Sequence, residues 1–122
     1  MSIKANELRI GNLVYYGESI RVITQIGVSP QRNFVGVDNM ITTFDVISPI
    51  PLTPEILEKA GFVKELILGR KDKYWYRLGE LSYNESHEAF WFHGILKYQP
   101  KSLHQLQNLY FALTGEELIV KF

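Results

Sequence analysis

The sequence predicts an α+β protein. Short apolar runs broken by turn residues fill residues 8–52. A second set of such runs fills residues 62–93, and two segments, Thr53–Gly61 and Ser102–Gly115, carry helix grammar. Strands and helices in separate blocks give α+β rather than alternating α/β. The expected order is a small barrel or curled β-sheet, a helix, an antiparallel meander, a C-terminal helix and a terminal strand.

The N-terminal lobe, residues 1–52, starts with a strand at Leu13 to Tyr16. Gly17-Glu18 reverses the chain into Ser19 to Ile26, where Ile20, Val22, Thr24 and Ile26 share one face by period two. Ile23 breaks the opposite, polar face. Gly27 to Asn33 has loop composition. Phe34 to Val37 and Ile41 to Ile47 read as two more strands around an Asp38-Asn39 turn. Pro49-Ile50-Pro51-Leu52 ends the lobe, because proline lacks the amide hydrogen that a ladder needs.

The second lobe, residues 53–122, is expected to pack on the first as one compact unit. Thr53 N-caps a helix with Pro54 at its first position, and Gly61 stops it. Strands are expected at Phe62 to Leu68, at Lys73 to Tyr83 with an irregularity at Gly79, and at Glu88 to His93. Ser102 and Gln105 suit a capping box, and Gly115 suits a left-handed C-terminus. Between them Leu103, Leu106, Tyr110 and Leu113, with Leu109 beside them, form an apolar stripe expected to dock on the meander. Leu118, Val120 and Phe122 alternate as a terminal strand, whose free edge could pair two copies in a homodimer.

Composition narrows function by exclusion. The 122 residues are 46% hydrophobic and 21% charged, the make-up of a packed globular chain. Thirteen basic and thirteen acidic residues give a formal net charge of zero, so bulk charge offers a polyanion no support. There is no Cys, hence no disulfide or thiolate zinc site. The first residues, Met1 to Glu7, lack the apolar core of a signal peptide, and no apolar run is long enough to span a bilayer. The expectation is a cytoplasmic protein with no cofactor and no membrane association.

Arg70-Lys71-Asp72-Lys73-Tyr74-Trp75-Tyr76-Arg77 is the segment nearest to a binding motif. Cations that track phosphate and rings that stack on bases are the ingredients of single-strand binding. Arg70, Lys71, Lys73, Trp75 and Arg77 are its candidate partner or nucleic-acid surface. The plainer reading is a charged hairpin tip between aromatic strands. A second candidate is the polar face of the C-terminal helix, where His104, Gln107 and Asn108 fall at i, i+3, i+4. Such a stripe is ordinarily solvated, and in the functional reading it meets a partner.

Other chemistry finds no footing. His87 and His93 lie six positions apart, about 20 Å along a straight strand, too far to share an ion even with Glu85 and Glu88 nearby. No nucleophile elbow, P-loop or dinucleotide fingerprint is present. Glu116-Glu117 reads as a polar turn rather than a catalytic pair.

Three stretches carry a resemblance: Asn6 to Tyr15, Ile50 to Glu55 with Gly61-Phe62, and His104 to Gly115. Together they resemble a family of small uncharacterised proteins from Bacteroides-type gut bacteria, their prophages and their phages. The resemblance implies an accessory intracellular protein of mobile-element type and brings no catalytic residue with it. Leu8 to Val14 also looks like the first strand of SH3-like barrels such as KOW-type modules. The expected function is non-enzymatic binding of a macromolecular partner, a protein first. The alternative is a nucleic-acid module using the hairpin 70–77.

Overall fold

A computed structural model describes residues 3–28, 33–69 and 73–122. The chain is α+β and divides into two compact units: residues 1–51 with 102–117, and residues 52–101 with 118–122. Each holds one antiparallel five-stranded sheet. Neither sheet closes, so the barrel form of the N-terminal lobe is not realised.

In the first unit, strand β1 (Leu13–Tyr16) pairs with β2 (Ser19–Val28) around Gly17-Glu18. Gly17 takes a φ of 62°, as a two-residue hairpin with glycine leading requires. Strand β3 (Asn33–Val37) turns into β4 (Met40–Thr42) through Asp38 and Asn39, both at positive φ. The single strand expected over residues 41–47 is instead β4, a 3-10 turn at Phe44–Val46, and a short β5 (Ile47–Ser48). The sheet order is β4-β3-β2-β1-β5.

The inward face of β2 also differs from the expectation. Ile23 is fully buried, whereas Val22 is exposed. The register with β3 slips between Ile23 and Gln25, a β-bulge at Thr24. The extra residue lets Ile23 and Ile26, three positions apart, join one core with Val14, Val35, Val37 and Ile47. Strict period-two reading cannot see such a slip.

In the second unit, α1 (Pro54–Lys59) is capped by Thr53, whose Oγ1 accepts the Ile56 N–H at 3.2 Å. Gly61 then reverses the chain at φ 94° into β6 (Val63–Leu66). Next come β7 (Tyr74–Leu78), β8 (Leu81–Asn84), β9 (Ala89–Phe92) and β10 (Leu96–Tyr98), giving the order β10-β9-β8-β7-β6. The long strand expected over residues 73–83 is thus a hairpin turning at Gly79-Glu80, and β10 is an element the sequence reading lacked. One face buries Tyr76, Leu81 and Phe90, and Phe62 meets Phe90 edge to face at 6.1 Å.

Helix α2 (Leu103–Thr114) belongs to the first unit, not to the meander. The Leu103 N–H donates to Ile50 O at 2.8 Å, and Ser102 bridges to Pro51, tying the helix start to the end of the first sheet's chain. Leu103 and Leu106 are fully buried, each contributing about 1.5–3 kcal/mol of transfer free energy. Tyr110 and Leu113 are half-buried. Gly115 ends the helix at φ 75°.

Residues 118–122 form no strand. The Lys121 N–H donates to Lys59 O at 2.8 Å, and the Lys59 ammonium stands over the Phe122 ring. The tail satisfies a carbonyl left open at the end of α1, so the sheet edge expected for self-pairing is absent there. Among the described residues no helix is long and apolar enough to cross a membrane.

Candidate functional site

Cross-strand register builds one continuous surface on the second sheet, because residues directly opposite one another share a face. One row runs Val63, Arg77, Ser82, Trp91, Lys97. Its neighbour runs Glu65, Trp75, Asn84, Ala89. The opposite face, with Tyr76 and Phe90, is the core described above. Alternation therefore turns both tryptophans of the chain to the same side.

Trp75 and Trp91 are half-buried and meet edge to face, with ring centroids 6.2 Å apart. Each carries a cation over its ring: the Arg77 guanidinium at 5.1 Å from Trp75 and the Lys97 ammonium at 5.8 Å from Trp91. Acids are interleaved. Arg77 Nε donates to Glu65 Oε2 at 3.0 Å, and His93 Nδ1 lies 3.3 Å from Glu80 Oε2. The tight Gly79-Glu80 and His93-Gly94 turns bound a cleft of about 410 Å³ lined by Trp75, Arg77, Ser82 and Trp91. The surface thus offers flat aromatic area, donors and acceptors, and charges of both signs.

Of the residues predicted for this site, Trp75 and Arg77 stand on the face, and Lys73 is half-buried just before β7. Arg70 and Lys71 lie outside the described residues. Trp91, Lys97, Glu80 and Ser82 were missed. The signals for them were two tight turns: Gly79-Glu80, which opens β8, and His93-Gly94, which folds β10 back beside β9.

The second predicted site is placed differently. His104 and Gln107 are buried and Asn108 is half-buried, so the stripe is turned inward rather than solvated. Gln107 Oε1 accepts the Leu13 N–H at 2.8 Å, and its Nε2 donates to Gly11 O at 3.4 Å. Asn108 Oδ1 accepts from Asn12 Nδ2 at 2.8 Å and Arg9 Nη1 at 3.2 Å, while its Nδ2 donates to Glu7 O at 2.9 Å. The physical reason is the loop at residues 7–13. Its backbone groups point at α2, and buried backbone groups require partners. Two of the stretches that carry the resemblance are therefore bonded to each other.

Ser102 makes no side-chain cap, so the expected capping box does not form. Its Oγ lies 3.1 Å from His104 Nδ1, and His104 Nε2 lies 3.9 Å from Glu7 Oε2. Hydroxyl, imidazole and carboxylate follow the order of a nucleophilic triad. Ser102 is 3% exposed and His104 1%, so a substrate has no access to the hydroxyl. Burial holds the His104 pKa below its ordinary value, against an opposing pull from Glu7. Among the described residues no group of three or more His, Asp or Glu side chains is gathered to hold a metal ion.

No family model, curated protein or solved structure matches the chain.

Proposed function

We propose that the chain is a non-enzymatic accessory protein, cytoplasmic and of the mobile-element type it resembles, that binds a protein partner through the Trp75–Trp91 face. The carrying observation is the tryptophan pair with a cation over each ring on one side of an antiparallel sheet. Tryptophan and arginine dominate the energetics of protein interfaces, where truncating such an anchor commonly costs about 2 kcal/mol or more. Glu65 and Glu80 favour a protein over a polyanion. They sit against Arg77 and His93, so no single-sign field builds up to attract phosphate.

The test is affinity capture with the full chain against Trp75→Ala, Trp91→Ala and the double variant, with circular dichroism confirming that each is folded. A protein recovered stoichiometrically with wild type and lost with the double variant supports the proposal. Equal recovery with all four overturns it, as does a stoichiometric bound metabolite. Titration with labelled single-stranded oligonucleotides at low salt decides the alternative. Salt-sensitive binding near micromolar protein that needs Trp75 and Arg77 would replace the protein reading with the nucleic-acid one.

A further inference from the structure

We propose that His104 is a proton-operated latch on the first unit: while its imidazole is neutral, the first turn of α2 stays seated against residues 7–13, and a proton on the ring loosens that turn. The site lies outside the tryptophan face, so this inference stands or falls separately from the partner proposal.

The His104 imidazole has almost no access to water. The His104 side chain is 2% exposed, and Nε2 has no hydrogen-bond partner. The Glu7 carboxylate on the Nε2 side favours the neutral tautomer with its hydrogen on Nε2, which leaves Nδ1 to accept from the Ser102 hydroxyl 3.1 Å away. That N–H faces Glu7 Oε2 at 3.9 Å, beyond hydrogen-bond reach. An added proton goes to Nδ1 and forces the Ser102 hydroxyl to turn from donor to acceptor.

The surroundings then set the sign. His104 is the second residue of α2, where unpaired backbone N–H groups already make the local potential positive. No residue of α2 is charged. Arg9, from the neighbouring loop, is a cation engaged with Asn108 and Glu117 further along. Among the described residues the counter-charge set against the ring is Glu7, a third exposed. Its other oxygen is committed to capping the 3-10 turn Ala5–Glu7, accepting the Lys4 N–H at 2.7 Å. Closing further on the imidazolium pulls the Glu7 carboxylate away from that turn. Either outcome, a buried charge with a distant partner or a broken cap, loosens the seam where Asn108 holds Glu7 O.

The direction with pH follows. Burial sets the folded pKa of His104 below the ordinary 6.5, so the unfolded chain takes the proton first. The contribution of the neutral ring is whole above 6.5, drains as pH falls through that value, and levels off below the folded pKa.

The experiment is amide hydrogen exchange on the full chain at about pH 7.5 and about pH 5.5, corrected for intrinsic exchange at each pH. Expected is a severalfold loss of protection in peptides covering 5–13 and 103–110 at the lower pH, with 74–92 unchanged. His104→Gln should abolish the difference. Equal protection at both pH values in wild type overturns the latch, as does an undiminished response in His104→Gln. Should that variant not fold, the imidazole resonance of wild-type His104 serves. Titration below 6.5 together with the loss of protection supports the latch, and titration at or above 6.5 overturns it.

Discussion

The Leu13 N–H donates to Gln107 Oε1 at 2.8 Å, joining the first residue of β1 to a helix 94 positions away. The bond is part-buried, and Nε2 of the same Gln107 carboxamide donates to Gly11 O. A part-buried donor stripped of its acceptor loses more than the bond itself where water replaces the acceptor poorly. Gln107→Ala should therefore destabilise the chain by about 1–3 kcal/mol in urea unfolding. An unchanged midpoint would mean that the loop finds other partners.

Arg9 and Glu117 separate two effects. Arg9 Nη2 donates to Glu117 Oε2 at 2.8 Å, but Glu117 is half exposed, and exposed pairs contribute little. Glu117→Ala should cost less than about 1 kcal/mol. Arg9→Ala should cost more, because Arg9 also stacks over Phe111 at 4.1 Å and donates to Asn108. Equal losses in the two variants would assign the whole effect to the ion pair.

Helix α2 shows what the sequence could and could not disclose. Its stop at Gly115 and its buried Leu103 and Leu106 follow from spacing and the left-handed glycine, and its start falls at Ser102 although that side chain makes no cap bond. Its docking surface does not, since an apolar stripe says that a face is buried but not against what. Polarity misled in the same way. Gln107 and Asn108 look solvated until the loop at residues 7–13 is seen to present backbone groups without strand partners. Long-range hydrogen bonding has no local signature.

Gly36 is the residue that the β2 bulge requires on its partner strand. A Cβ there would stand 3.0 Å from Gln25 Cβ and Thr24 Oγ1 and 3.2 Å from the Gln25 nitrogen. Backbone cannot yield as a flexible side chain can. Gly36→Ala should cost about 1–3 kcal/mol by overpacking, read as a lower urea midpoint with unchanged m-value. A neutral result would show that the bulge shifts freely.

Asp38 supplies a second pH-dependent contact. The Arg21 guanidinium donates to it at 3.0 Å and the Val22 N–H at 3.2 Å, holding its carboxyl below the usual 3.8. A depressed carboxyl stabilises the fold above 3.8, and that contribution drains as pH falls through the folded value. In Arg21→Gln the Asp38 carboxyl should titrate closer to 3.8 by NMR. A carboxyl that does not move would place the cause in the Val22 amide instead.

The tryptophan face was half legible. Trp75 and Arg77 share a side by alternation within one strand, whereas Trp91 joins them through two further turns and Lys97 through three. Register accumulates across hairpins, so one misread turn loses the pairing of every later strand even where, as at Ala89–Phe92, the strand itself is expected. Gly79-Glu80, read as an irregularity in one long strand, was such a turn.

If this face serves a partner, its polar residues should matter little to folding. The Arg77–Glu65 pair is about half exposed on both sides, worth about 0–1 kcal/mol, and an exposed cation–π contact adds about 0.5–1. Arg77→Ala and Lys97→Ala should each lower stability by no more than about 1–2 kcal/mol on those terms. Phe90→Ala, which empties the buried side of the same sheet, should cost about 3–5 kcal/mol. Urea unfolding of the three variants measures the contrast. Losses at Arg77 or Lys97 as large as at Phe90 would make the tryptophan face a second core and remove the basis for a partner there. Near-wild-type stability with loss of the captured protein would separate binding from folding at single side chains.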